Sequence, residues 1–148
     1  MSWPQGIDSK LKGAIEYQPG HLIDIMATCI DVAGIEALSE FKGNKIQPLE
    51  GISLKPTFKG ESLRRKNALY FDHHLNGAVR DGQWKLVRYG DSGRNAKLHP
   101  WQLYDMEHDR SEQNDLAKRY PEKVKELATK WEKWAVRARV KPWPWKVD

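Results

Sequence analysis

The sequence has little of what would cross-link a small domain or carry it across a membrane. It has 148 residues and one cysteine, Cys29, so an intramolecular disulfide framework is excluded. The cysteine lies in an apolar helical stretch, and we interpret it as a small buried hydrophobic side chain. No run reaches the ~18 apolar residues of a membrane span, and the first residues lack an apolar export signal. We therefore predict no membrane interaction.

Charge of one sign is not concentrated anywhere either. The chain has 25 Lys and Arg against 20 Asp and Glu, a formal charge of +5, which would permit a polyanionic partner. Basic and acidic residues are interleaved rather than gathered in blocks, so we predict no nucleic-acid partner. The chain is 39% hydrophobic and contains seven Trp, which is unlike the composition of disordered proteins. We expect a folded chain.

The N-terminal half contains one strong helix pattern. Residues 1–20 are punctuated by Pro and Gly and predict extended chain and loop. Residues 21–33 are apolar nearly all round a helix, and Gly34 stands where a C-terminal cap belongs. Such a helix should be buried on more than one side. Residues 35–67 carry Gly and Pro among charges, and we interpret them as a connecting segment.

The C-terminal half carries strand patterns followed by a helix pattern. Strands are predicted at 68–73, 78–80, 84–89 and 102–106. Asp81-Gly82 between two of them predicts a type I′ turn, in which both central residues have positive φ. Pro121 begins an amphipathic helix of about 17 residues, and the Pro-Trp-Pro-Trp tail at 142–145 should be extended. The prediction is an α+β fold: a small four-stranded antiparallel sheet packed against a C-terminal helix, with an N-terminal arm and helix.

Several segments, in their order and spacing, carry a resemblance to a known family. They are Ser2-Trp3-Pro4 with Gly6-Ile7, Pro19-Gly20-His21 and the helix after it, Gly51-Ile52-Ser53-Leu54, Leu69 to His73 with Asn76, Ala78 to Val87, and Leu103-Tyr104-Asp105 with Asp109, Glu112 and Asn114. Together they resemble the C-terminal region of arylsulfatase-type sulfatases, in the alkaline-phosphatase-like superfamily. The resemblance implies that residues 1–34 are the end of a truncated catalytic domain. Residues 35–67 would be a connecting segment, and residues 68–148 would form the C-terminal subdomain.

The same resemblance implies a sulfate-ester hydrolase with a formylglycine nucleophile and one bound calcium, which neutralises charge on the sulfate oxygens. The family's nucleophile motif is Cys-x-Pro-x-Arg, whereas Cys29 is followed by Ile30-Asp31-Val32-Ala33, and the calcium ligands have no counterpart here. We therefore expect no catalytic residue, metal site or cofactor in this chain. It would shape the substrate pocket of a parent enzyme, periplasmic or secreted, and be inactive alone.

His73 and Asn76 are the candidate substrate-binding residues, because the resemblance places this hairpin edge at the mouth of the family's pocket. An imidazole and an amide there could hydrogen-bond the hydroxyls of a sulfated carbohydrate. The alternative is an exposed strand-end pair without a ligand. The family commonly has an acidic residue, Gly and Arg at the positions of His74, Leu75 and Gly77. The resemblance therefore does not identify the class of substrate.

No metal site is expected at His73-His74, because adjacent strand residues point to opposite faces. Asp105, Glu107, Asp109 and Glu112 lack the Gly and terminal Glu of an EF-hand, and we interpret them as turn and cap residues.

Two other classes of function remain open. A carbohydrate-binding module would use aromatic platforms; packing explains Trp84, Trp131 and Trp134, which leaves Trp101, Trp143 and Trp145. A structural or assembly module would bind no glycan. In every case the helix at 21–33 lacks a partner, and we expect it to drive formation of a homo-oligomer when a sulfatase catalytic domain is absent.

Overall fold

The computed structural model describes residues 3–91 and 97–140. The chain divides into two compact units, unit 1 at Met1–Lys66 and unit 2 at Asn67–Asp148. No helix in the described ranges is long and apolar enough to cross a membrane. The predicted extended tail, with Trp143 and Trp145, lies outside these ranges.

Unit 1 contains one α-helix and short elements around it. A 3-10 helix at Ser9–Leu11 interrupts the predicted extended arm, and helix α1 spans Asp24–Ala33. α1 begins three residues after the apolar pattern does, and it ends as predicted at Gly34, whose φ of 66° is left-handed. The predicted connecting segment holds a hairpin of β1, Glu40–Phe41, and β2, Asn44–Lys45, and a second 3-10 helix, Lys55–Lys59.

Helix α1 is buried on its polar side. Asp24 and Thr28 are its buried residues, and the Thr28 hydroxyl donates to the Asp24 carbonyl (2.7 Å) and accepts from the Leu54 N–H (2.9 Å). The apolar side chains of Ile25 and Met26 are exposed. Cys29 is exposed as well, so its predicted burial is wrong. The hydrogen bonds that anchor Asp24 and Thr28 turn the opposite face of the helix outward.

Unit 2 is a four-stranded antiparallel sheet in the order β3-β4-β5-β6. The strands are β3, Leu69–His73; β4, Asn76–Asp81; β5, Trp84–Arg88; and β6, Gln102–Asp105. Val79 pairs with Leu86, and Leu86 with Leu103. These three side chains are fully buried and form one row of the core. The predicted α+β fold and its strand count are confirmed.

Helix α2, Pro121–Arg137, covers one face of that sheet. Its buried residues are Leu127, Trp131 and Ala135, which recur at intervals of four as an apolar stripe must. The Trp131 indole N–H donates to the Phe71 carbonyl at 3.0 Å. The predicted position of this helix is confirmed.

The turn predicted at Asp81-Gly82 is displaced by one residue. Asp81 pairs with Trp84 as the last residue of β4, so the two turn residues are Gly82 and Gln83. Gly82 has a φ of 57°, while Asp81 and Gln83 are not among the described residues with positive φ. A type I′ turn needs positive φ at both central positions, whereas Gly at the first alone fits type II′. The hairpin is therefore present, and the predicted turn type is wrong.

Candidate substrate-contact site

The turn between β3 and β4 has two residues, and both have an unfavourable backbone conformation. His73 pairs with Asn76, which leaves His74 and Leu75 as a two-residue loop with φ of 46° and 68°. Positive φ at both central positions is the type I′ geometry that Asn-Gly usually supplies. Non-glycine residues are uncommon at left-handed φ. Asn and Asp tolerate it because their side chains can hydrogen-bond the local backbone, which a Leu side chain cannot do. The turn therefore carries backbone strain.

Asn76 holds the turn through the hydrogen bonds of its side-chain amide. Its amide nitrogen donates to the carbonyls of His73 (2.9 Å) and His74 (3.3 Å), and its Oδ1 accepts from the N–H of Gly90 (3.1 Å). A Cβ on Gly90 would lie 2.5 Å from the Cβ of Leu75, so only glycine lets the chain after β5 approach this closely. Both ends of the Asn76 amide are thus engaged within the protein.

The turn brings two imidazoles together on the surface. His73 and His74 are exposed, and their ring centroids are 4.3 Å apart in an edge-to-face arrangement. The prediction that these side chains point to opposite faces is therefore wrong. That rule holds within a strand, and His74 has left the strand for a left-handed turn conformation. Sequence reasoning selected His73 and missed His74 for this reason.

A tyrosine–histidine pair lies beyond the end of β5. The rings of Tyr89 and His99 are 5.2 Å apart, and His99 Nε2 lies 2.8 Å from Asp91 Oδ1. Tyr89 follows β5 and His99 precedes β6. The two segments are joined by a backbone hydrogen bond, in which the His99 N–H donates to the Tyr89 carbonyl. Gly90, which contacts Asn76, belongs to the first of these segments. No motif in the sequence identifies Tyr89 and His99 in advance.

One described group of side chains has the composition of a metal site, namely Asp105, Glu107 and His108. The Asp105 carboxylate is already engaged, because it accepts from the Glu107 N–H and from the His108 ring, both at 3.0 Å. The His108 hydrogen bond is the main reason that the pKa of Asp105 is lowered, and the pKa of His108 is raised in turn. This arrangement closes a turn and does not offer the six to eight oxygens that calcium takes.

The sequence around Cys29 does not fit the formylglycine motif either. Cys29, the single cysteine, lies on the exposed face of α1 and is followed by neither the Pro nor the Arg of the family's motif.

The described tryptophans support packing rather than an aromatic platform. Trp131 is 2% exposed, and Trp134 stacks on Tyr70 with ring centroids 5.1 Å apart. Trp101 lies 5.7 Å from Trp131, and the Arg88 guanidinium covers its ring. The interpretation of Trp101 as a free sugar platform is not supported by these contacts.

Known proteins similar to this chain are sulfatases. No family model matches the sequence. Human arylsulfatase K is 30% identical over 106 residues, which cover 68% of this chain and 19% of that protein. A structure from work on glycosaminoglycan metabolism by Bacteroides thetaiotaomicron, labelled a 6S-sulf protein, has a TM-score of 0.56 and 23% identity over 76% of this chain and 24% of its own.

Another solved structure, a protein in complex with its substrate D-glucosamine-2-N,6-O-disulfate, has a TM-score of 0.53 and 22% identity. It covers 80% of this chain and 24% of its own. The chain thus spans about a fifth to a quarter of the length of these relatives. The shared fold and the arylsulfatase K similarity show that this chain carries a sulfatase-type C-terminal region.

Proposed function

We propose that the chain serves a sulfated-glycan hydrolase by shaping the mouth of its substrate pocket, through the β3–β4 turn of unit 2. The exposed imidazole pair of His73 and His74 on a fixed turn is the observation that carries this proposal. The similarity to sulfatases, one of them bound to a disulfated glucosamine, supports a sulfated carbohydrate as the ligand. Surface polar groups held in one conformation are what sugar recognition requires.

The catalytic chemistry belongs to a partner in this proposal. Calcium and formylglycine would be held by a sulfatase catalytic domain, because residues 3–91 and 97–140 fit neither group. What this chain contributes is contact with the part of the glycan that lies beyond the scissile sulfate. Such remote contacts increase the rate only for substrates large enough to reach them.

In a full-length enzyme that carries this region, His73→Ala is expected to lower kcat/KM for a sulfated oligosaccharide about tenfold. We expect a change of less than about twofold for a small aryl sulfate. The physical reason is that the aryl substrate does not extend to the turn. Steady-state kinetics on the two substrates measures the difference.

His108→Ala provides the matched control, because His108 is also an exposed histidine but caps a different turn. It should leave both substrates unaffected. An equal loss on both substrates for His73→Ala would indicate that the residue supports folding or packing, and would contradict contact with the glycan.

The exposed face of α1 is the proposed surface for the catalytic-domain partner. Leu22, Ile25 and Met26 are each at least half exposed, and Cys29 lies among them. The charged residues of α1 lie on its other side, where Asp24 is buried and Asp31 pairs with Lys55. Apolar surface of this kind marks an interaction site.

Without that partner, the chain is expected to form a dimer or larger assembly at roughly tens of micromolar, as measured by sedimentation. Cys29 provides a direct probe, because its reaction with a thiol reagent should slow as the chain associates. Ile25→Asp should restore the monomer and fast labelling, since it places a charge on the exposed face that association would bury. Val136→Asp is the control, because Val136 is an exposed apolar residue on α2. A wild-type chain that remains monomeric with a fully reactive Cys29 contradicts the proposal.

A further inference from the structure

We draw no further inference here: the strongest candidate, the exposed apolar surface of the β1–β2 hairpin at Phe41 and Ile46, carries none because nothing in the described residues shows what covers it.

Discussion

Asp24→Ala is expected to destabilise unit 1 by about 3–5 kcal/mol, the range found when one partner of a buried ion pair is removed. Asp24 is fully buried, and its carboxylate lies 2.5 Å from the Arg65 guanidinium. It also accepts the N–H groups of His21 (2.7 Å) and Ile52 (2.9 Å). The variant therefore leaves a charge and two backbone donors without their acceptor. Because small domains are stable by only about 5–15 kcal/mol, unit 1 should lose much of its structure.

Native-state hydrogen exchange at the Ile52 and Leu54 amides reports on this loss, because both amides bond to α1 side chains. Asp31→Ala is the matched control, with the same substitution in the same helix two turns later. Asp31 pairs with Lys55 at 2.9 Å, but both side chains are more than 40% exposed. An exposed pair contributes at most about 1 kcal/mol. Similar effects from the two variants would mean that the Asp24 pair is not anchoring unit 1.

Because of the Asp24 carboxylate, the stability of unit 1 is expected to decrease at acid pH. Burial acts to raise the pKa of Asp24, but the hydrogen bonds from Arg65, Ile52 and His21 outweigh it, so the pKa lies below its usual value. A lowered pKa contributes stability that is present above the unfolded value of about 3.9 and is lost as the pH falls through the folded value. The difference in stability between wild type and Asp24→Ala should therefore shrink below about pH 4.

The sheet and α2 could be predicted from the sequence because their signals are local. Alternation of period two in β4 and β5 and helical spacing at Leu127, Trp131 and Ala135 each reflect one buried face. The orientation of α1 could not be read in this way. Its apolar residues indicated burial, yet the anchors at Asp24 and Thr28 depend on backbone groups 26 to 28 residues away in the sequence. Periodicity contains no information about such distant polar partners.

The candidate site shows the same division between local and distant causes. His73 and Asn76 were selected from the family resemblance, and Asp81-Gly82 was selected as the type I′ turn from local turn chemistry. The structure has that geometry at His74-Leu75, where the local residues argue against it. What fixes it is Gly90, 15 residues beyond Leu75 in the chain, together with the Asn76 side chain. Turn propensity alone does not account for a conformation imposed from outside the turn.

Trp131→Ala is expected to lower the free energy of unfolding of unit 2 by about 3–5 kcal/mol, as for other large aromatic truncations in cores. The side chain is 2% exposed, its N–H donates to the Phe71 carbonyl, and the Arg88 guanidinium lies 4.9 Å from its ring centroid. Truncation leaves a cavity and removes the hydrogen bond to the Phe71 carbonyl. Urea unfolding followed by circular dichroism measures the loss, and Trp134→Ala, half-buried on the same helix, should cost clearly less.

Gly77 makes the role of Trp131 testable by a double-mutant cycle. A Cβ at Gly77 would lie 2.8 Å from Trp131 Cζ2, so Gly77→Ala in the wild type should cost about 1–3 kcal/mol through overpacking. In the Trp131→Ala background the ring is gone, and the same change should cost close to nothing, because the added methyl enters vacated space. The two substitutions should therefore be strongly non-additive. Additive effects would mean that Gly77 is required for its backbone conformation in β4 rather than for the indole that packs over it.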